Sequence, residues 1–432
     1  MIYFILITLL VVFFFEYKFQ KCIIAPFSIF LLSFIGAVFL ISLNVENWEV
    51  SLNDAFVIYI FTAIISFGLA CFLTESLFCF SKYKLYDDKH YNTRVLMHSK
   101  NDYPINFLFL ISMLCTFIYT YHLISSVGFT SDVTLLLRSI YDAPKERNFL
   151  ITQTREIVVA IAEISVFEIL LLKYIHNIIK IKKRIYIPII LGVVLSLIST
   201  DRNILLRFIF FSSCLYSIFI INRNMLKNKS INWRLLKKAF AYSFIFIGIF
   251  FAFGKLKGYT SNLERMVGIY GGSGLYNFNL FLESFNENNL RYGDETFSTL
   301  LNMIEYVTSF GDHIIPYVGE LGLIVFRASN GYVYASNIYS AMCPYVIDFG
   351  FWGILFYPFL LGVIFEFLFI LVKKNKFGIS WLLYSYFCYS LFYFTIAEQF
   401  FIRFHLGMIY EIFWLFILFF LSYRKLKICV SC

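Results

Sequence analysis

Charge is what this sequence has least of. Asp, Glu, Lys and Arg make up 15% of its 432 residues, against about 25% in ordinary soluble domains. Hydrophobic residues make up 60%, with 55 Phe among them. A water-soluble core cannot absorb so much Phe and Ile, whereas a bilayer can, so the composition defines a polytopic membrane protein. Metal-ligand signatures are missing too: there is no His-Glu-x-x-His, no second Cys-x-x-Cys to complete a site with the single one at Cys429 and Cys432, and no Asp-x-Asp. Gly271, Gly272 and Gly274 do not sit between a strand and a helix, which leaves little support for a nucleotide-binding turn. The nine cysteines fall mostly in apolar runs or at the C-terminal end, and only Cys343 is expected to face outward. No disulfide framework follows. Internal repeats, low-complexity tracts and soluble domains are absent as well.

What is present is a succession of long apolar runs, at roughly 2–15, 22–43, 55–78, 105–126, 156–178, 185–200, 204–222, 239–254, 345–372, 379–396 and 407–423. They predict an all-α bundle of about eleven membrane-spanning helices. The first run has no basic stretch before it and no small-residue cleavage site, so it reads as a retained helix rather than a signal peptide. Residues 1–432 read as a single integral membrane domain. Its mass outside the bilayer sits at 127–155 and, more extensively, at 255–344 between the eighth and ninth helices. The apolar spacing of "DETFSTLLNMIEYVTSF" within the larger segment predicts short helices lying on the membrane surface and folding back into the bundle.

Alternate loops are strongly basic: "KIKKR" at 180–184, "RNMLKNKSINWRLLKK" at 223–238, "KKNK" at 373–376 and "RKLK" at 424–427. The positive-inside rule puts these loops and the C-terminus in the cytoplasm. Lysine dominates that inner side, whereas arginine dominates the outer one. Guanidinium grips phosphate and carboxylate bidentately where lysine does not, so the outer arginines point to an anionic ligand, or else to ion pairs with the outer acids.

The sharpest local signal is "LISTDRNILLRF" (197–208), which sets Asp201 and Arg202 in a short turn at the outer mouth of two helices. Ionisable groups facing a bundle are functional candidates by default; the alternative is a simple turn facing water. In the smaller outer segment, Arg138, Lys145, Arg147 and Arg155 lie close together, beside Asp142, Glu146 and Glu156 that could pair with them. The larger one carries Arg265, Arg291 and Arg327 among several acids, with Glu320 and one histidine, His313. Histidine can serve as a general base near neutral pH, or simply be a polar surface residue. "AEQFFIRFHLG" (397–407) holds Glu398, Arg403 and His405 in one short outer turn. Asp348-Phe349-Gly350 matches the magnesium-binding end of a protein-kinase site, but the Gly-rich loop, strand lysine and His-Arg-Asp loop such a site needs are missing. Asp348 reads instead as a helix N-terminal cap, with Gly350 and Gly353 permitting close helix packing.

Four stretches in order resemble the bacterial O-antigen and capsule repeat-unit polymerases of the Wzy type. "LISTDRNILLRF" looks like that family's Ser/Thr-x-Arg turn. "ERMVGIYGGSGLYNFNLFL" (264–282) is similar to its Tyr/Gly-Gly turn before an aromatic helix, and "RYGDETFSTLLNMI" (291–304) to its Gly-x-x-Thr-Phe segment. "SNIYSAMCPYVIDFGFWG" (336–353) resembles its Asn-x-Tyr-(Ser/Thr) and Tyr-x-x-Asp-Phe-Gly-x-x-Gly signature. The likeness covers roughly 190–370; the N-terminal third matches in topology alone.

The resemblance implies a glycosyltransferase of the bacterial cytoplasmic (inner) membrane that joins oligosaccharide repeat units on its outer face. The growing chain would pass en bloc from undecaprenyl pyrophosphate to a new lipid-linked unit. Undecaprenyl-pyrophosphate-linked oligosaccharides and the lipid bilayer are then the partners, with a chain-length regulator as a further one and no nucleic acid. No cofactor and no metal are expected. Arg202, helped by Arg138 or Arg147, would hold the pyrophosphate, and His313, Glu320 or Glu398 would activate the acceptor hydroxyl. Arg265, Arg291, Arg327, Asn337, Tyr339, Arg403 and His405 would line the sugar and lipid site. Three rival readings share some of these features. They are a flippase or transporter for lipid-linked sugars, an O-antigen ligase, and an acyltransferase acting on polysaccharide.

Overall fold

The computed structural model describes residues 1–20, 22–79, 103–128, 139, 149–174, 183–198, 202–226, 263–308, 321–374 and 378–428. The chain divides into two compact units, Met1–Lys82 with Ser261–His405, and Tyr83–Thr260 with Leu406–Cys432.

The first unit contains α1 (Ile2–Gln20), α2 (Pro26–Leu43), the single turn α3 (Val45–Trp48) and α4 (Asp54–Cys79). The second contains α5 (Tyr103–Val127), α6 (Phe149–Tyr174), α7 (Tyr186–Ile198) and α8 (Arg202–Leu226). The chain then returns to the first unit for α9 (Leu263–Ser284), α10 (Ser298–Thr308), the strands β1 (Ile324–Arg327) and β2 (Val333–Ser336), α11 (Met342–Lys374) and α12 (Ile379–Phe392). Last, α13 (Leu406–Ile428) belongs to the second unit. Among the described residues, α1, α2, α4, α5, α8 and α11 are long and apolar enough to cross a membrane. A helix satisfies its own backbone hydrogen bonds, which is what permits such runs in hydrocarbon. The expected span at 239–254 lies outside the described residues.

In the first unit, α11 packs along α4, α9 along α2, and α1 along α2. Helix α1 leaves Phe4, Phe14, Phe15 and Phe19 exposed, a surface suited to lipid. A polar tie joins α1, α4 and α11 at one end. Gln20 Nε2 donates to Glu75 Oε2 at 2.7 Å, and Lys373 Nζ donates to Glu75 Oε1 at 3.2 Å. In the second unit α6 is the central helix, touched by α5, α7, α8 and α13.

The segment 255–344 departs from the sequence expectation in two ways. It contains a 22-residue helix, α9, rather than short helices alone, and it contains an antiparallel β-hairpin, pairing Ile324 with Ser336 through Arg327 with Val333. The all-α description therefore gives way to a helical protein carrying one small hairpin. Aromatic burial holds the hairpin down: Tyr334 stacks on Phe326 at 4.7 Å and meets Trp48 edge-on at 5.2 Å. At its turn, the Ser329 amide donates to the Glu49 carboxylate at 2.6 Å, and the Ser329 hydroxyl together with this amide holds that carboxyl below its ordinary range. Cys343, expected to face outward, is fully buried, because it sits inside the packed first turns of α11.

Candidate functional site

Helix α11 is two helices meeting at a corner. Gly350 has φ 57° and ψ −141°, a conformation open essentially to glycine alone. Three residues on, the backbone of Gly353 lies so close to the Tyr345 carbonyl that a Cβ there would stand 2.0 Å from that oxygen. In a straight helix, residues eight apart are separated by about 12 Å, so the short first segment folds back against the long second one.

That corner leaves helix-end carbonyls without intrahelical partners, and a distant segment satisfies them. The amide of Arg291 donates to Ile347 O and that of Tyr292 to Asp348 O, both at 3.1 Å. The next free amides turn to the Asp348 side chain. Glu295 N reaches Oδ1 at 3.1 Å and Thr296 N reaches Oδ2 at 2.7 Å. Asp348 is completely buried. It therefore clamps the 291–296 turn rather than capping its own helix. Within this turn Arg291 pairs with Glu295. Burial pushes the Glu295 carboxyl up while Arg291 pulls it down.

The 397–405 loop joins the same region. Glu398 is buried, and its oxygens accept from the amides of Phe400, Phe401 and Ile402 at 2.8, 2.9 and 2.6 Å and from the Tyr345 hydroxyl at 3.3 Å. Burial raises this carboxyl and the backbone donors oppose the rise. With both oxygens engaged, Glu398 is built as a turn anchor rather than as a base facing substrate. Arg403, also buried, donates to the Tyr386 hydroxyl at 2.9 Å. His405 is exposed. Thr299 of α10 donates to Ile402 O at 2.7 Å, which joins the two loops.

Helix α9 contributes a buried polar row. Asn277 Nδ2 donates to Ile338 O at 2.7 Å, and its Oδ1 accepts from Tyr334. Ser273 lies 2.7 Å from the Ser336 hydroxyl. Asn279 fixes the 51–53 loop, donating to Ser51 O and accepting from Asn53 N, both at 2.9 Å. Sequence reasoning passed over these three side chains; their signal was polar residues recurring along an otherwise apolar helix. Beside them Tyr339 is half-buried and donates to Gly322 O at 2.7 Å, whereas Asn337 and Arg327 are exposed.

Three of the stretches singled out in the sequence, 264–282, 291–304 and 336–353, thus meet one another within the first unit. An apolar groove of about 890 Å³ runs from this meeting point along α4 and α11, with Phe349, Trp352, Phe356, Ile65 and Leu69 among its walls. Arg202 opens α8 in the second unit and Arg265 lies in the first turn of α9; the side chains of both fall outside the description. Arg138, Arg147, His313 and Glu320 lie outside the described residues. Among the described residues, no group of three or more His, Cys, Asp or Glu is arranged to hold a metal ion. Comparisons with protein families, curated proteins and solved structures return no match for this chain.

Proposed function

We infer that this protein is a membrane glycosyltransferase that polymerises oligosaccharide repeat units carried on undecaprenyl pyrophosphate, at the outer face of a bacterial cytoplasmic membrane. The observation that carries the reading is the groove: an apolar slot along α4 and α11, walled by Phe349, Trp352 and Phe356. The tail of a polyprenyl diphosphate is apolar along its whole length and suits such a slot. The ordered likeness of four stretches to the Wzy-type polymerases points the same way, as does the arginine-rich outer side. In this reading α6, α7, α12, α13 and residues 239–254 complete a set of about eleven spans, and the C-terminus is cytoplasmic.

The chemistry asked of the protein is modest. The anomeric bond to pyrophosphate breaks as an acceptor hydroxyl attacks, and the leaving group takes the negative charge. Arg202, with help from Arg138 or Arg147, would stabilise that charge, and one well-placed donor in a water-poor site is worth roughly 3–4 kcal/mol. His313 and Glu320 remain the proposed bases. Arg265, Arg291, Arg327, Asn337, Tyr339 and His405 would steer sugars. Arg403 would hold its loop through Tyr386.

The test is substitution of Arg202 by Ala and by Lys, with glycan chain length read on a gel. Both variants should lose the polymer ladder and leave single repeat units. Wild-type ladders from both would remove Arg202 from the mechanism.

A further inference from the structure

Among its described residues, the second unit holds three buried carboxylates that the proposed reaction does not use. Glu156 and Glu163 lie on α6, two turns apart on one face, and Glu411 lies on α13; each is at most 3% exposed. Two of the three have cationic partners. Arg207 of α8 donates to Glu411 Oε2 at 2.9 Å, and Arg155 pairs with Glu156.

Glu163 is different. Its Oε2 is buried without any hydrogen-bond partner, and the charged groups near enough to act on it are Glu411, Arg207 and Glu156. Of the helices packed against α6, α13 presents Glu411 and α8 presents Arg207. Among the described residues α5 and α7 present no charged group to it. The nearby guanidinium is thus already bound to Glu411. An ionised carboxylate with a buried, unpartnered oxygen is among the most unfavourable things a bilayer-embedded bundle can contain. Pairing with a cation or neutralisation resolves it. Among the described residues no group of three or more His, Cys, Asp or Glu is arranged to hold a metal ion here, and the cation that fits a single carboxyl oxygen is a hydrogen ion.

We propose that the junction of α6, α8 and α13 is an intramembrane proton-binding site in which Glu163 carries the proton while Arg207 holds the charge of Glu411. Deprotonating Glu163 would place a second carboxylate in competition for the one guanidinium. The helix junction is therefore a two-state element whose arrangement depends on that proton. The site goes beyond the polymerase reading and stands whether or not that reading survives.

The experiment is infrared spectroscopy of the full-length protein in lipid nanodiscs near neutral pH, comparing wild type with Glu163→Gln and Glu163→Leu. Each variant should lose one carboxylic-acid carbonyl band, with no loss of carboxylate intensity. Both should melt within a few degrees of wild type, since neither removes a charge. The wild type should lose melting temperature as pH rises, because the folded state holds a proton that the unfolded chain releases, and both variants should flatten that slope. A variant that loses only carboxylate intensity would overturn the proposal. So would a steep fall in melting temperature for both variants, which would mark Glu163 as an ionised, paired group.

Discussion

Two buried acids show how much a single side chain can decide. Asp348 receives two amides from a segment some fifty residues away in sequence. Hydrogen bonds to a charged acceptor contribute about 1.5–3 kcal/mol each, and an orphaned buried amide is costly in its own right. Asp348→Asn keeps the shape but turns an NH₂ toward an amide donor. It should destabilise the protein by roughly 2–3 kcal/mol, seen as a lower melting temperature in detergent. Glu398 makes a sharper discrimination between roles. As a turn anchor, Glu398→Gln should lower the melting temperature along with activity. A base would lose activity with melting unchanged. Neither partner set was legible in the sequence, because both depend on chain segments meeting in space. The sequence placed Asp348 at a helix start from its neighbours, and the structure moves its job to another loop.

At the scale of elements, the corner in α11 rests on two glycines of different kinds. Gly350 is needed for its dihedral angles, and Gly350→Ala should cost about 1–3 kcal/mol. Gly353 is needed for space: its Cβ would stand 2.0 Å from the Tyr345 oxygen, so Gly353→Ala must open the corner. Its loss of thermal stability should exceed that of Gly350→Ala, and the Asp348 clamp should loosen with it. The hairpin gives a pH prediction. The Glu49 carboxyl is depressed by its contact with Ser329, so the docking it supports is present above the ordinary carboxylate range and is lost as pH falls through the lowered value. Exchange protection at the Ser329 amide, corrected for intrinsic rates, should fall with acidification, and Glu49→Gln, which keeps an acceptor oxygen but cannot titrate, should lose that pH dependence. The hairpin itself was readable. Asn330-Gly331 between β-rich runs is a strong hairpin signal, and Gly331 does adopt φ 82°. The surface helices expected for this segment rest on the apolar spacing of 294–310 instead.

For the molecule as a whole, most of the helices could be read directly, because a run of apolar residues in a bilayer has little choice but to be helical. Residues 26–43, 54–79 and 342–374 are cases where expected runs and observed helices nearly coincide. The coming together of 264–282, 291–304 and 336–353 was not readable from spacing, since nothing in a helix's periodicity says which loops it will fasten. In the sequence, what grouped them was the proposed resemblance to one enzyme family. The groove is likewise a property of two helices at once. The central claim is that these parts serve polymerisation of lipid-linked sugars. Its most direct measurement is purified full-length protein in liposomes, supplied with undecaprenyl-pyrophosphate-linked repeat units and followed for chain length and released carrier. The account predicts a ladder of lengthening glycans, with one undecaprenyl pyrophosphate released for each unit added. Movement of intact lipid-linked units across the bilayer with no growth in chain length would contradict it.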